Sequence, residues 1–413
     1  MKKLLSMLVV LILILATFPA SADEDITISV LQWWEAALGT EGFREVLDRF
    51  EEENPGIKVE TVTTPFGSMR EQIIAGWVTG TMPDVIGIDG AWINEFVDMG
   101  MLNEMDSFLS ASAMDVNDIS AVTKVDGTTY TLAQTTFVYP LFVNMDMFEA
   151  AGLEKLPTTW SELAECAKKL TDPSKNQYGL VIPLSLKAPN GVQNDIMSWL
   201  WASGGSMLKD GKPDLTNQAV KDTVTFIKGL FDDGSVSPGS FTKVETDKVE
   251  EFASGRAAMM VSTLGNTLTI RERDPNLNFT VIPLPVKDGY EGESGITYAC
   301  WGLGINSQSQ HKEAAWKLIE YFMSTDVNVA LADGGKGFPG IKSAIPEFVS
   351  TDEVYTKGFE IYQSGYLINE FSGLPTAEEL MRLVGEQLQA MLEGNITVDE
   401  ALANAQAAWE AAF

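Results

Sequence analysis

The chain has 413 residues, 58 acidic, 28 basic and a single histidine, for a formal net charge of −30. Such a field repels nucleic acid and anionic membranes and disfavours polyanionic substrates. The single histidine, His311, stands at an expected exposed helix start, which argues against a histidine-based triad, and one histidine cannot build a multi-histidine metal site; an apolar fraction of 45 % places the acidity on the surface of a folded protein, not in a disordered one.

Lys2 and Lys3, the apolar run Leu8 to Leu15 and the small-residue site Ala20-Ser21-Ala22 read as a secretory signal peptide over 1–22, cleaved after Ala22. No cysteine stands near that cut, so a bacterial lipid anchor is not expected and a periplasmic location is favoured. The remaining chain is long for one core, which points to two lobes. Ile26 to Val30 alternates as a strand. Thr40 reads as the cap of a helix whose Phe43, Val46, Leu47 and Phe50 share one face, stopped by Asn54-Pro55-Gly56. Ile57, Val59 and Thr61 make a second strand, Ile73 to Val78 a second helix, and Asp84 to Ile88 a third, almost wholly apolar strand. This order predicts α/β architecture with a mostly parallel sheet.

Farther along, Thr136 to Asn144 reads as one long strand entering a helix. "TTWSELAECAKKL" carries Thr159 as N-cap and Glu162 three residues on, a capping-box pattern. "NQYGLVIPL", "AAMMVS" and "YACWGLGIN" read as strands, and "AVKDTVTFIKGLFDDG" as an amphipathic helix closed by Gly234. The last sixty or so residues are helical, with "AEELMRLVGEQLQAML" the clearest case. Cys166 and Cys300 are far apart and read as buried single thiols, a disulfide being the alternative. Gly335 to Gly340 matches G-x-G-x-x-G, but no clear strand precedes it and Pro339 stands where a helix should begin. It is a glycine-rich turn, not a dinucleotide site.

In open α/β sheets ligands bind beyond the carboxyl ends of strands. The first strand ends in Trp33-Trp34-Glu35, the third in Asp89 followed by Trp92. "AAMMVS" runs into Thr263, Gly265 and Asn266, and "YACW" carries Trp301. Adjacent residues of a strand face opposite ways, so one ring of the Trp33-Trp34 pair packs inward and the other faces a cleft. Aromatic faces with a few directional acceptors suit the C–H faces and hydroxyls of a neutral polyhydroxylated ligand. Trp199 and Trp201, two apart, point different ways, and Trp199 is taken to reach the cleft. Trp77, Trp160, Trp316 and Trp409 read as core.

With these residues in place, the chain resembles the extracellular solute-binding proteins of ATP-binding-cassette importers, in the sugar-binding group that includes maltose-binding proteins. The resemblance is carried by "FEEENPGIKVE", "GTMPDVIGIDG", "LFVNMDMFEAAGLEKLPTTWSELAECAKKL", "FASGRAAMMVSTLGN" and "WGLGINSQSQHKEAAWKLIEYF". It implies a type II periplasmic-binding-protein fold: two α/β lobes, a ligand cleft between them, and a hinge of three crossings, here near Ala133-Thr136, Tyr298-Trp301 and Gly337-Ile341. The first lobe would comprise 23–134 and 300–338, the second 135–299 and the helical 339–413. The family's ligand positions correspond to Trp33, Trp34, Asp89, Tyr139, Trp301 and Phe338. Two departures stand out: Ala133 where a proline is common, and Gly265-Asn266 where an aromatic is common.

The resulting expectation is an exported, monomeric binding protein without cofactor, metal or catalysis. It would capture a neutral mono- or oligosaccharide for an importer permease. The open alternatives are a binding protein for a polyamine or other non-sugar solute and, further off, an exported glycoside-acting enzyme. The expected ligand set is Trp33, Trp34, Glu35, Asp89, Trp92, Tyr139, Trp199, Thr263, Asn266, Trp301 and Phe338.

Overall fold

The computed structural model describes residues 25–32, 35–64, 66–374 and 376–412, excepting the side chains of 35–39, 66, 67 and 373. The expected signal peptide and the Trp33-Trp34 pair lie outside these described residues. In chain order the strands are β1 (Ile26–Gln32), β2 (Ile57–Thr63), β3 (Val85–Asp89), β4 (Val122–Val125), β5 (Thr128–Val138), β6 (Leu141–Asn144) and β7 (Tyr178–Leu180). There follow β8 (Leu208–Lys209), β9 (Lys212–Pro213), β10 (Ala257–Val261), β11 (Phe279–Ile282), β12 (Gly295–Ile305), β13 (Phe338–Pro339) and β14 (Tyr366–Ile368).

β1, β2 and β3 form the parallel heart of a large sheet, with β1 between the other two. The connecting helix Glu35–Glu53 buries Phe43, Val46, Leu47 and Phe50 against it, as their spacing requires. That helix begins ahead of Thr40, which lies inside it and is not its cap. The Asp84 carboxylate accepts from the Ser29 N–H at 2.8 Å and the Ser309 hydroxyl at 2.6 Å, so the Pro83-Asp84-Val85 sequence ties β1, β3 and the end of β12 together.

The sheet is mixed, not mostly parallel. Its order is β13-β5-β12-β3-β1-β2, and β12 runs antiparallel to both β3 and β5. The second sheet, β11-β6-β10-β7, pairs β10 with β7 in parallel and with β6 antiparallel. The expected single strand Thr136 to Asn144 is therefore two. β5 belongs to the first sheet up to Val138 and β6 to the second from Leu141. Pro140, without an N–H, cannot continue a ladder through that point, and the Tyr139 N–H turns to the Thr297 carbonyl at 3.0 Å.

Along β6, Leu141 and Val143 enter one core and Phe142 another, because successive strand residues face opposite sides. The first of these cores also takes in Trp409 and the helices Ala377–Leu392 and Val398–Ala412, so the C-terminal helices form one body with the second sheet. The helix Trp160–Leu170 has the expected capping box of Thr159 and Glu162, a device worth about 1 kcal/mol. A separate core surrounds the first sheet.

The segments expected at the three crossings lie side by side: Thr136 of β5 pairs with Cys300 of β12 and with Phe338 of β13. Gly340 comes so near β5 that a Cβ there would stand 1.9 Å from the Ala133 carbonyl, so no larger residue fits. Buried Asn328 donates to the Gln134 carbonyl at 2.9 Å and accepts the Ile341 N–H at 3.1 Å, fixing two of these segments to each other. Gly335 closes a helix and Lys336 is left-handed at φ 50°, so the G-x-G-x-x-G match is a turn running into β13. Cys166 and Cys300 are buried free thiols.

Candidate functional site

β3 ends at Asp89, which caps the short turn Gly90–Trp92 by accepting the Ala91 N–H at 2.9 Å. Protein surrounds this carboxylate although part of it still meets solvent. Burial pushes its pKa up to about 6, against the pull of the Ala91 bond, and the like charge of Glu378 pushes the same way. A carboxylate has about four acceptor positions; the single Ala91 bond leaves this one able to take more donors. Beneath it, Trp301 stands opposite Asp89 across the β3–β12 ladder and meets the Trp92 ring edge-on, centroids 6.2 Å apart. Gly87 makes room for the indole: a Cβ there would lie 2.6 Å from it. Both rings are buried and form an apolar floor.

At the crossing between β5 and β6, half-buried Tyr139 faces the same region. Burial raises its pKa, and the charges of Glu245, Asp89 and Asp195 raise it further; the Asn194 side chain hydrogen-bonds its hydroxyl. The phenol stays neutral and can both donate and accept.

The wall from the second body is built on a π-helical stretch, Val192–Met197, of the kind that often marks a functional site. Its Asn194 and Asp195 carbonyls accept from the Ser198 hydroxyl at 2.6 Å and the Trp199 indole N–H at 3.0 Å. Gln193, Asn194 and Asp195 are all buried. Fully buried Lys248 reaches the two Asp195 oxygens at 3.0 and 3.1 Å and Glu245 at 2.8 Å. Desolvation works to lower its pKa, but the two carboxylates outweigh that and hold it protonated. Glu245 also accepts from Ser262 at 2.8 Å and Asn266 at 3.1 Å.

The structure gathers Asp89 and Tyr139 with the Glu245–Ser262–Asn266 network, and Thr263 sits half-buried in the loop beside it. Asn266, standing where the resemblance leads one to expect an aromatic, serves hydrogen bonding and not stacking. Glu35 opens the helix after β1, but its side chain, like Trp33 and Trp34, lies outside the described residues. Two expectations need correction. Trp199 is 1 % exposed, meets Phe226 edge-on and bonds its own backbone one turn back, so it is core. Phe338 is buried among Phe359 and Tyr362 behind the crossing strands, as part of a hydrophobic core.

Sequence reading missed Asn194, Asp195, Glu245 and Lys248. Three consecutive polar residues inside "GVQNDIMSW" were a visible signal. Glu245 and Lys248, three apart on a helix, read like any exposed pair, and only their depth distinguishes them. Among the described residues no helix is long and apolar enough to cross a membrane.

The profile of the bacterial extracellular solute-binding protein family matches residues 36–329. A binding protein of Brucella abortus is 26 % identical over 69 % of this chain and 69 % of its own. An ABC-transporter solute-binding protein of Thermotoga lettingae, solved with α-D-tagatose, is 25 % identical with a TM-score of 0.76, covering 94 % of this chain and 99 % of that one. The sugar-binding protein MalE of Xanthomonas citri, 21 % identical, shares the fold at a TM-score of 0.79 over 93 % of this chain and 96 % of its own. The fold is thus the two-lobed α/β fold of sugar-binding proteins of this kind.

Proposed function

The chain belongs to the bacterial extracellular solute-binding proteins, and from that premise we propose that it captures a neutral mono- or oligosaccharide between its lobes and delivers it to the permease of an ABC importer. The reading takes the lobe division that the resemblance implies, 23–134 with 300–338 against 135–299 with 339–413, and the core that the C-terminal helices share with the second sheet supports the grouping of those two parts. Export by cleavage after Ala22 completes the reading. No chemistry is assigned to the protein itself; its work is closure, in which ligand contacts to both lobes shift the population toward the closed form.

The observation that carries the proposal is Asp89. It is a crowded carboxylate at the carboxyl end of a strand, held among the described residues by one backbone donor, with Tyr139 and the Glu245 network opposite. Sugar hydroxyls supply the donors it lacks, and one face of Trp33 or Trp34 supplies the stacking surface. A second reading is favoured by Asp89 itself: among the described residues no cation stands beside this carboxylate, which suits a solute carrying an ammonium group.

A thermal-shift and tryptophan-fluorescence screen of the mature protein against sugars, polyols, polyamines and amino acids tests both. A ligand specific to the folded state adds about 4 kcal/mol at a thousandfold excess over its Kd. Sugars or polyols that stabilise and change fluorescence are the expected result. Stabilisation by polyamines alone would replace the sugar with an amine, and silence from every class would remove the capture reading.

A further inference from the structure

The Tyr139 hydroxyl and the Asp89 carboxylate bear on the same region, and the charge of Asp89 reaches the phenol. The ionised Asp89 can only accept. What Tyr139 does is decided behind it, in the π-helical stretch Val192–Met197. The backbone there is fixed from several sides. The Asn194 carbonyl takes the Ser198 hydroxyl at 2.6 Å, the Asp195 carbonyl takes the Trp199 indole N–H at 3.0 Å, and Lys248 grips the Asp195 side chain at 3.0 and 3.1 Å. Asn194 is left with one choice, which end of its amide faces Tyr139. Its neighbour makes that choice: the Gln193 Nε2 donates to the Asn194 Oδ1 at 2.9 Å, and both side chains are buried. With Oδ1 engaged by Gln193, Nδ2 is the end turned to the phenol. The electrostatics agree. Asn194 works to lower the Tyr139 pKa against the effect of burial, which is what a donor to the phenol oxygen does. A phenol carries one hydrogen of its own, and among the described residues Asn194 is the hydrogen-bond partner this hydroxyl has. That hydrogen is therefore left for the cleft.

We propose that Gln193 and Asn194 are positioning residues that make Tyr139 a hydrogen-bond donor to the captured solute, so that the cleft selects a hydroxyl over an ammonium group. A hydroxyl can donate to Asp89 and accept from Tyr139, and leaves neither unmet. An ammonium group can only donate. Beside Asp89 it would gain the charge, but its N–H groups would face the Tyr139 hydrogen and leave it unpaired inside a closed cleft, and an unpaired polar group costs more than one hydrogen bond contributes. The inference rests on the capture reading and decides between its two solute classes.

The first arm of the test uses no solute. In Gln193→Glu the carboxylate can only accept, so the Asn194 amide turns over, presents Oδ1 to Tyr139, and the phenol donates to it instead of into the cleft. Ultraviolet resonance Raman separates an accepting from a donating phenol by the intensity ratio of the tyrosine doublet, and subtracting the Tyr139→Phe spectrum isolates this ring. In the mature protein the ratio is expected to move toward the donating form in Gln193→Glu. The same ratio in both folded proteins would overturn the proposal. If Gln193→Glu does not fold, Gln193→Met releases Asn194 without adding a charge and should move the ratio the same way. The second arm is calorimetry with glucose and sorbitol against putrescine and spermidine, which carry ammonium groups and no hydroxyl. Wild type is expected to bind glucose or sorbitol in preference, and Gln193→Glu to bind them about tenfold more weakly, the equivalent of one hydrogen bond. Amines that bind wild type as well as glucose and sorbitol do would overturn the proposal. A ratio that shifts as expected in a protein that binds no probe of either kind would count against the capture reading and leave the donor role of Tyr139 standing.

Discussion

Asp89 and Lys248 are both charged groups crowded by protein on opposite walls of the cleft, and their surroundings differ in kind. Lys248 has three charge-assisted contacts to two carboxylates, and Glu245 passes the network on to Ser262 and Asn266. Among the described residues, Asp89 has a single backbone donor and a neighbouring charge of its own sign. A closed network of that kind fixes geometry, because each member is costly to leave unpaired. An acceptor left short of donors is useful only if something else brings them. On the proposed reading the second wall is a scaffold, and the first wall is where a ligand's donors count most.

The largest effect should come from breaking the scaffold. Lys248→Met leaves Asp195 buried and Glu245 half-buried without their cation, and urea denaturation should show a loss of about 3–5 kcal/mol. A smaller loss than that of an ordinary surface substitution would mean the network is not closed in solution.

Asp89→Asn should do the opposite. It removes a strong acceptor for ligand hydroxyls, so calorimetry with the sugar selected by the screen should show binding weakened by about 1.5–3 kcal/mol, with folding stability equal to wild type or greater. If binding is unchanged, the open acceptor is not the ligand's. The pH dependence sharpens the same point, since burial raises Asp89 from 3.8 to about 6. For folding, the cost of burying this charge is fully present above pH 6 and is relieved as pH falls from about 6 toward 3.8. For binding, the protonated group accepts fewer hydroxyls, so affinity should fall as pH drops through 6, and Asp89→Asn should flatten that slope.

The smallest effect is expected at Trp199. Its indole N–H satisfies a carbonyl of the π-helical stretch, so Trp199→Phe should cost about 1 kcal/mol of stability and leave sugar affinity untouched. A marked loss of affinity would return Trp199 to the cleft, where its position in the sequence had suggested it.

What could be read in the chain follows from local physics. The spacing of Phe43, Val46, Leu47 and Phe50 fixes one helix face, and Thr159 with Glu162 fixes a cap. The apolar run at Val85 marks a covered strand, and Asp89 stands at its carboxyl end because strand ends are where acceptors escape the ladder. The family resemblance supplied the crossings. What escaped reading depends on contacts between distant segments. β12 enters between β3 and β5 more than 150 residues after β5, which turned a parallel sheet into a mixed one. Tyr139-Pro140 split one apparent strand between two sheets. Trp199 and Phe338 had the residue type of a stacking surface and the burial of a core, a difference set by what packs on them and not by their neighbours in sequence. Lys248 shows the limit most clearly: charge and periodicity alone describe a surface lysine, and only Asp195, brought to it from 53 positions away, makes burial of that charge possible.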